Sequence, residues 1–170
     1  MKIRIISIEI GVTKDKDILV DKAKGEKSFT LYFFKTSALA KTSIGLSEVN
    51  RGDCLLLSPD SPHYLRSKEF EWEYDVISFK GSDATRLISQ IGLECDTIYS
   101  PVQTYFIDAI LDKITKEIRA TDMLFDRVVA AAMDELLTKI LRFSKQDFVL
   151  SMPDHSQKLR DLRSEVHENF

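Results

Sequence analysis

Histidine is scarce in this 170-residue sequence: there are three, His63, His155 and His167, and two of them stand near the C-terminal end. A metal site built from imidazole and carboxylate needs several such ligands converging, each giving one lone pair in fixed geometry. Cysteine is scarcer still. Cys54 and Cys95 are the two present, with no C-x-x-C spacing. That argues against a zinc finger or a dithiol redox motif and reads as buried free thiols. A basic excess is also lacking. Lysine and arginine total 24 against 27 acidic residues, net −3, which argues against a protein that coats nucleic acid. No uninterrupted apolar run approaches membrane-spanning length. The opening Met1-Lys2-Ile3-Arg4-Ile5-Ile6 is soon broken by Ser7 and Glu9, so it does not read as a signal peptide, and the expected location is the cytoplasm. No nucleophile–base pair or paired acid motif offers itself.

What is present is a chain of ordinary globular composition, 44% apolar and 30% charged, long enough for one domain or one domain plus an appendage. Its first half reads as strands between frequent turns. Met1 to Ile10 is isoleucine-rich with polar residues interleaved. Asp21 to Lys27 reads as a charged turn around Gly25. Ser28 to Lys35 is aromatic and apolar, and Asn50-Arg51-Gly52-Asp53 is a turn signal. Cys54 to Leu57 is a short apolar run that stops at Ser58-Pro59-Asp60-Ser61-Pro62. Glu71 to Lys80 alternates in part, with Trp72, Tyr74, Val76 and Ser78 on one face. Short strands in such succession predict a sandwich or barrel.

The period then changes. Ser82 or Asp83 can cap a helix that Gly92 closes. Phe106, Ile107, Ile110, Leu111, Ile114 and Ile118 follow helical spacing, as do positions from Phe125 to Leu141. The apolar arc of this last helix is wider than one seam. One face could pack on the barrel while Val129, Met133, Leu136, Leu137 and Ile140 meet a partner chain. The alternative is that both faces are core of the same chain. Ser144 to Pro153 reads as a connector. Ser156 to Phe170 reads as a further amphipathic helix with Leu159, Leu162, Val166 and Phe170 on one face.

The stretch Gly52 to His63 has a glycine turn entering a buried strand, a proline turn leaving it, and a histidine at the exit. It resembles the second sequence motif of cupins, which are small jelly-roll barrels. The first cupin motif, with His-x-His and a glutamate, should fall between Lys35 and Glu48, and no histidine occurs there. A three-histidine metal site is therefore not expected, and neither is a cofactor. His63 is expected to be a hydrogen-bonded structural residue or a ligand contact.

In order and spacing, several segments together resemble the N-terminal half of an AraC/XylS-type transcription regulator. They are Leu31-Tyr32-Phe33-Phe34-Lys35, Arg51 to Pro59, Pro62-His63-Tyr64, Trp72 to Gly81, and the tail from Leu159 to Phe170. The resemblance implies a mixed β/α fold: a cupin-like jelly-roll β-barrel that binds a small effector, followed by an α-helical segment that makes a homodimer. It also implies DNA contact only through a helix-turn-helix domain absent from this chain. The founding member of the family binds a sugar. Carried over by spacing, its contacts fall at Lys35, Tyr64 and Tyr74, and its stacking tryptophan falls at Val76, which cannot stack. Trp72, on the same predicted face as Tyr74, could replace that platform.

The expected divisions are 1–81 for the barrel, 82–143 for the helical pairing segment, and 144–170 for a linker and first helix leading to the missing domain. The chain is expected not to be an enzyme. A cupin-fold enzyme and a ligand-free interaction module are the alternatives, and the second survives if the barrel interior is filled.

Overall fold

The computed structural model describes residues 2–120 and 122–150, with side chains to residue 145. Nine strands form two antiparallel sheets: β1 (Arg4–Lys14), β2 (Val20–Lys22), β3 (Phe29–Phe34), β4 (Ala38–Thr42), β5 (Gly45–Val49), β6 (Cys54–Leu57), β7 (His63–Ser67), β8 (Trp72–Lys80) and β9 (Thr97–Tyr99). One sheet has the order β1-β8-β3-β6-β9 and the other β2-β7-β4-β5. Their facing sides enclose a jelly-roll-like barrel interior. Three helices follow: α1 (Ser82–Ile91), α2 (Tyr105–Ala120) and α3 (Phe125–Leu150).

Strand period 2 sorts the five-stranded sheet into two faces. On β3, Tyr32 and Phe34 face the barrel interior, where they join Leu55, Leu57, Trp72, Tyr74 and Val76. Phe29, Leu31 and Phe33 face the other way and join Ile77, Phe79 and Leu56 under the helices. A strand covered on both faces reads as an unbroken apolar run, which is why Phe29 to Phe34 shows no alternation. β9 lies between α1 and α2 in sequence yet pairs with β6. The segment 82–143 is therefore not purely helical, because it returns one strand to the barrel.

The turn into α1 depends on Gly81. Its φ is +138°, and a Cβ there would stand 2.0 Å from the Lys2 carbonyl oxygen. Among the described residues no side chain caps this helix. Asp83 instead accepts from the Lys2 backbone N–H and pairs with Arg86 at 2.7 Å. The expected cap is thus diverted into tying the N-terminal strand to the helix.

The helical layer corrects the proposed pairing residues. Val129, Met133, Leu136, Leu137 and Ile140 are each at most 2% exposed. They pack in one cluster with Phe106, Ile110 and Ile114 of α2 and with Phe33 and Leu56 of the sheet. The exposed positions of α3 between them are polar or small, among them Ala131, Glu135 and Thr138. The broad apolar arc is therefore buried by the chain's own barrel and α2. α3 also continues to Leu150, so the connector expected from Ser144 starts no earlier than residue 151. The expected amphipathic helix over 156–170 lies outside the described residues.

Candidate ligand-binding site

The barrel interior differs at its two ends. On β3 the inward positions run Ser28, Thr30, Tyr32, Phe34, and on β8 they run Trp72, Tyr74, Val76, Ser78. Antiparallel register sets Phe34 against Tyr74 and Thr30 against Ser78. The large aromatics thus gather at one end and the hydroxyls at the other. Trp72, Phe34, Ala38, Val49 and Leu65 are at most 1% exposed and fill the aromatic end. At the hydroxyl end a cavity of about 270 Å³ remains, lined by β1, β2, β3, β7 and β8. That is close to the lower end of the range typical of small-molecule pockets.

Polar groups dominate its wall. The Thr30 and Ser78 hydroxyls lie 3.3 Å apart across the β3–β8 pair. His63 is fully buried, and its Nδ1 is 3.0 Å from the Tyr32 hydroxyl. Its Nε2 is buried with no hydrogen-bond partner among the described residues. Burial holds the His63 imidazole below its ordinary pKa of 6.5; Lys22 lowers it further, while Glu26 and Asp96 oppose. Burial likewise pushes the Tyr32 phenol up, helped by Tyr74. At the mouth stand two residues of each sign, Lys14 and Lys22 with Glu9 and Glu26. Lys22 pairs with Glu26 four residues on. The cavity therefore offers a neutral imidazole, the phenols of Tyr32 and Tyr74 and the hydroxyls of Ser7, Ser28, Thr30 and Ser78, with balanced charges beside them. Among the described residues no three His, Cys, Asp or Glu side chains come close enough to hold a metal ion.

The structure brings His63 and Tyr74 to this wall and leaves the other sequence candidates elsewhere. Lys35 sits at the end of β3 and points to the helix layer. Its Nζ is 3.1 Å from Asp75 Oδ2 and 2.8 Å from Asp108 Oδ1 of α2. Burial would lower the Lys35 pKa, but the hydrogen bond to Asp108 and the Asp75 carboxylate beside it outweigh that and raise the value. Asp75, 1% exposed at the side chain, also accepts from the Gly11 N–H at 2.7 Å. Gly11 lies in a bulge of β1 between Glu9 and Val12, at φ +66°. Lys35 is thus a tie between the sheet and α2 and does not reach the barrel interior.

Tyr64 stands between His63 and Leu65, both fully buried and inward. Parity therefore turns Tyr64 to the outer face of β7, where it is half-buried. Trp72 is fully buried in the closed end, with its indole N–H donating to the Ile18 carbonyl at 3.2 Å and its ring 5.2 Å from that of Tyr74. It is barrel core and presents no platform. Among the cavity residues that sequence reasoning missed are Ser7, Ser28, Thr30, Ser78, Lys22 and Glu26. The available signal was parity: Ser78 shares a face with Tyr74, and Thr30 shares one with Tyr32.

No protein-family model matches the chain, and no curated protein does. Solved structures do resemble it. ToxT from Vibrio cholerae O395 is 13% identical with a TM-score of 0.51, over 81% of this chain and 58% of that one. The ToxT structure holds (E)-4-(8-methylnaphthalen-1-yl)but-3-enoic acid. The AraC-like transcriptional activator CuxR is 10% identical with a TM-score of 0.42, over 72% of this chain and 48% of that one. A cupin protein from Bacteroides fragilis is 15% identical with a TM-score of 0.32, over 47% of this chain and 64% of that one. The likeness to ToxT shows a shared fold, a jelly-roll-like barrel followed by helices. The chain spans roughly half the length of the two regulators.

Proposed function

We propose that this chain is the effector-sensing part of an AraC-type transcription regulator. A small polar molecule occupies the 270 Å³ cavity at the hydroxyl end of the barrel. The barrel recognises this molecule and does not transform it. The observation that carries the reading is His63 in the wall of a polar cavity, with its buried Nε2 lacking a hydrogen-bond partner among the described residues. A native protein rarely leaves such a group unmet unless something else meets it. The fold shared with ToxT and the sequence resemblance to AraC/XylS regulators support a regulatory role. DNA contact would belong to a helix-turn-helix domain outside this chain.

The candidate effectors are sugars, sugar derivatives and small carboxylic acids. A sugar suits the paired Thr30 and Ser78 hydroxyls, and the acid bound by ToxT motivates the last class. The chain pairs as a homodimer through the helical layer. With the five buried positions of α3 unavailable, the exposed Ile118, Met123 and Leu124 around the α2–α3 turn are the pairing surface.

A thermal-shift screen over those three ligand classes tests the sensing claim. A binder is expected to raise the Tm of the protein, by about 2.7 kcal/mol of stabilisation at a hundredfold excess over Kd. It should not raise the Tm of a Thr30→Phe variant, whose ring fills the cavity. No rise with any class, or an equal rise in the filled variant, overturns the claim. Sedimentation velocity at micromolar concentration reads the pairing, and a monomer there removes that part.

A further inference from the structure

Neutral imidazole has one proton for two nitrogens, so what one nitrogen does fixes the other. In His63, Nδ1 is engaged by the Tyr32 hydroxyl at 3.0 Å. Two proton arrangements fit that distance. In one, Nδ1–H donates to the phenol oxygen. Among the described residues the phenol O–H then lacks an acceptor and the bare Nε2 a donor, so two buried groups go unmet. In the other, the phenol O–H donates to a bare Nδ1 and the imidazole proton sits on Nε2. Only the Nε2–H then goes unmet. Each buried unmet group costs stability, so the second arrangement wins. A doubly protonated ring is opposed by burial and by Lys22. The phenol keeps its proton because its own burial resists ionisation.

From this counting we infer that Tyr32 sets His63 as an Nε2–H donor, and that the cavity recognises a carbonyl or carboxylate oxygen on its ligand. The inference rests on reading the cavity as the effector site, and it narrows the effector's chemistry. Donation by Tyr32 draws electron density from the ring and strengthens the Nε2–H as a donor. An ammonium or amide N–H placed there would meet another donor. The Thr30 and Ser78 hydroxyls can give or accept, so they add contacts without reversing that selection.

The proton position is measurable with no ligand, so its failure is separate from failure of the sensing claim. Nitrogen-15 spectra of the full chain at neutral pH report both His63 nitrogens, with the signals assigned by their loss in His63→Gln. A protonated Nε2 and a bare Nδ1 are expected. A proton on Nδ1, alone or with Nε2, overturns the inference. In Tyr32→Phe the bare Nδ1 loses its donor, and the preference for the Nε2–H form is expected to weaken. An unchanged proton position there would show that Tyr32 does not set it.

Acetate, acetamide and methylammonium, each titrated to high concentration, then test the selection. The Nε2–H resonance is expected to move with acetate, with acetamide or with both, and not with methylammonium. Movement with acetate alone identifies a carboxylate, and movement with both identifies the carbonyl oxygen they share. Movement with methylammonium, or with none of the three, overturns the recognition of an acceptor oxygen.

Discussion

The two ends of the barrel interior are built on the same strands and do opposite things. At one end Phe34 and Trp72 fill the space between the sheets, and Tyr74, its ring 5.2 Å from that of Trp72, stands between them and the cavity. Four to six residues along, the same two strands present Thr30 and Ser78, with the neighbouring Ser28, to a cavity. The aromatic end closes the jelly roll and supplies burial. The hydroxyl end leaves space and supplies hydrogen-bonding groups. This division suggests that stability and recognition can be altered separately, although β3 and β8 carry both.

Emptying the filled end is expected to have the largest effect. Trp72→Ala removes a fully buried indole and leaves the Ile18 carbonyl without its donor. Large-to-small changes of this kind cost about 3–5 kcal/mol. Urea unfolding should show a lower midpoint with little change in slope. A loss under about 1 kcal/mol would mean that the closed end contributes no more than the open one, contrary to the packing argument.

A second and smaller effect belongs to the open end and appears only with pH. His63 is held below its ordinary 6.5 in the folded chain, chiefly by burial. As pH falls through that value, the unfolded chain takes up a proton that the native one refuses. The unfolded state then binds more protons, so stability drops as pH decreases. The drop ends once pH passes below the folded pKa. One group contributes at most about 1.4 kcal/mol per pH unit. The stability difference between the wild type and His63→Gln should therefore shift against the wild type on acidification. A difference constant from neutral pH to pH of about 5 would place His63 in a wetter setting than its burial implies.

How much of this was legible in the sequence follows from the same geometry. The partial alternation of Trp72, Tyr74, Val76 and Ser78 gave one inward face of β8 correctly. The turn before Cys54 and the helical spacing from Phe106 were also readable. Thr30 was hidden because β3 is covered on both sides, so no polar alternation marked its inward face. β4 and β5 carry exposed or half-exposed Lys41, Thr42 and Ser47 and lack a clean apolar stripe. Lys35 and Tyr64 show a sharper limit. Spacing to a relative places a residue along the strand, whereas its face depends on parity and local bulges, and one step reverses it. The arc of α3 failed differently. An apolar face looks the same in sequence whether its own barrel or another chain covers it, and here Met133 and Leu136 meet their own sheet and α2.

The smallest change in stability is expected at the hydroxyl pair of the open end. Removing one hydroxyl of the Thr30–Ser78 pair strands the other in a buried position, at a cost of roughly 1–3 kcal/mol. Removing both, in the double variant Thr30→Val with Ser78→Ala, deletes the need along with the partner. Valine keeps the shape of threonine and suits a strand, so the double variant should unfold within about 1 kcal/mol of the wild type. Its cavity would keep nearly the same volume and lose two hydrogen-bonding groups. Ligand affinity is then expected to fall while the urea midpoint stays in place. If affinity and midpoint fall together, the hydroxyls belong to the stability of the barrel and the two ends are not divided in function. If only affinity falls, then β3 and β8 hold the fold at Trp72 and Phe34 and the ligand at Thr30 and Ser78.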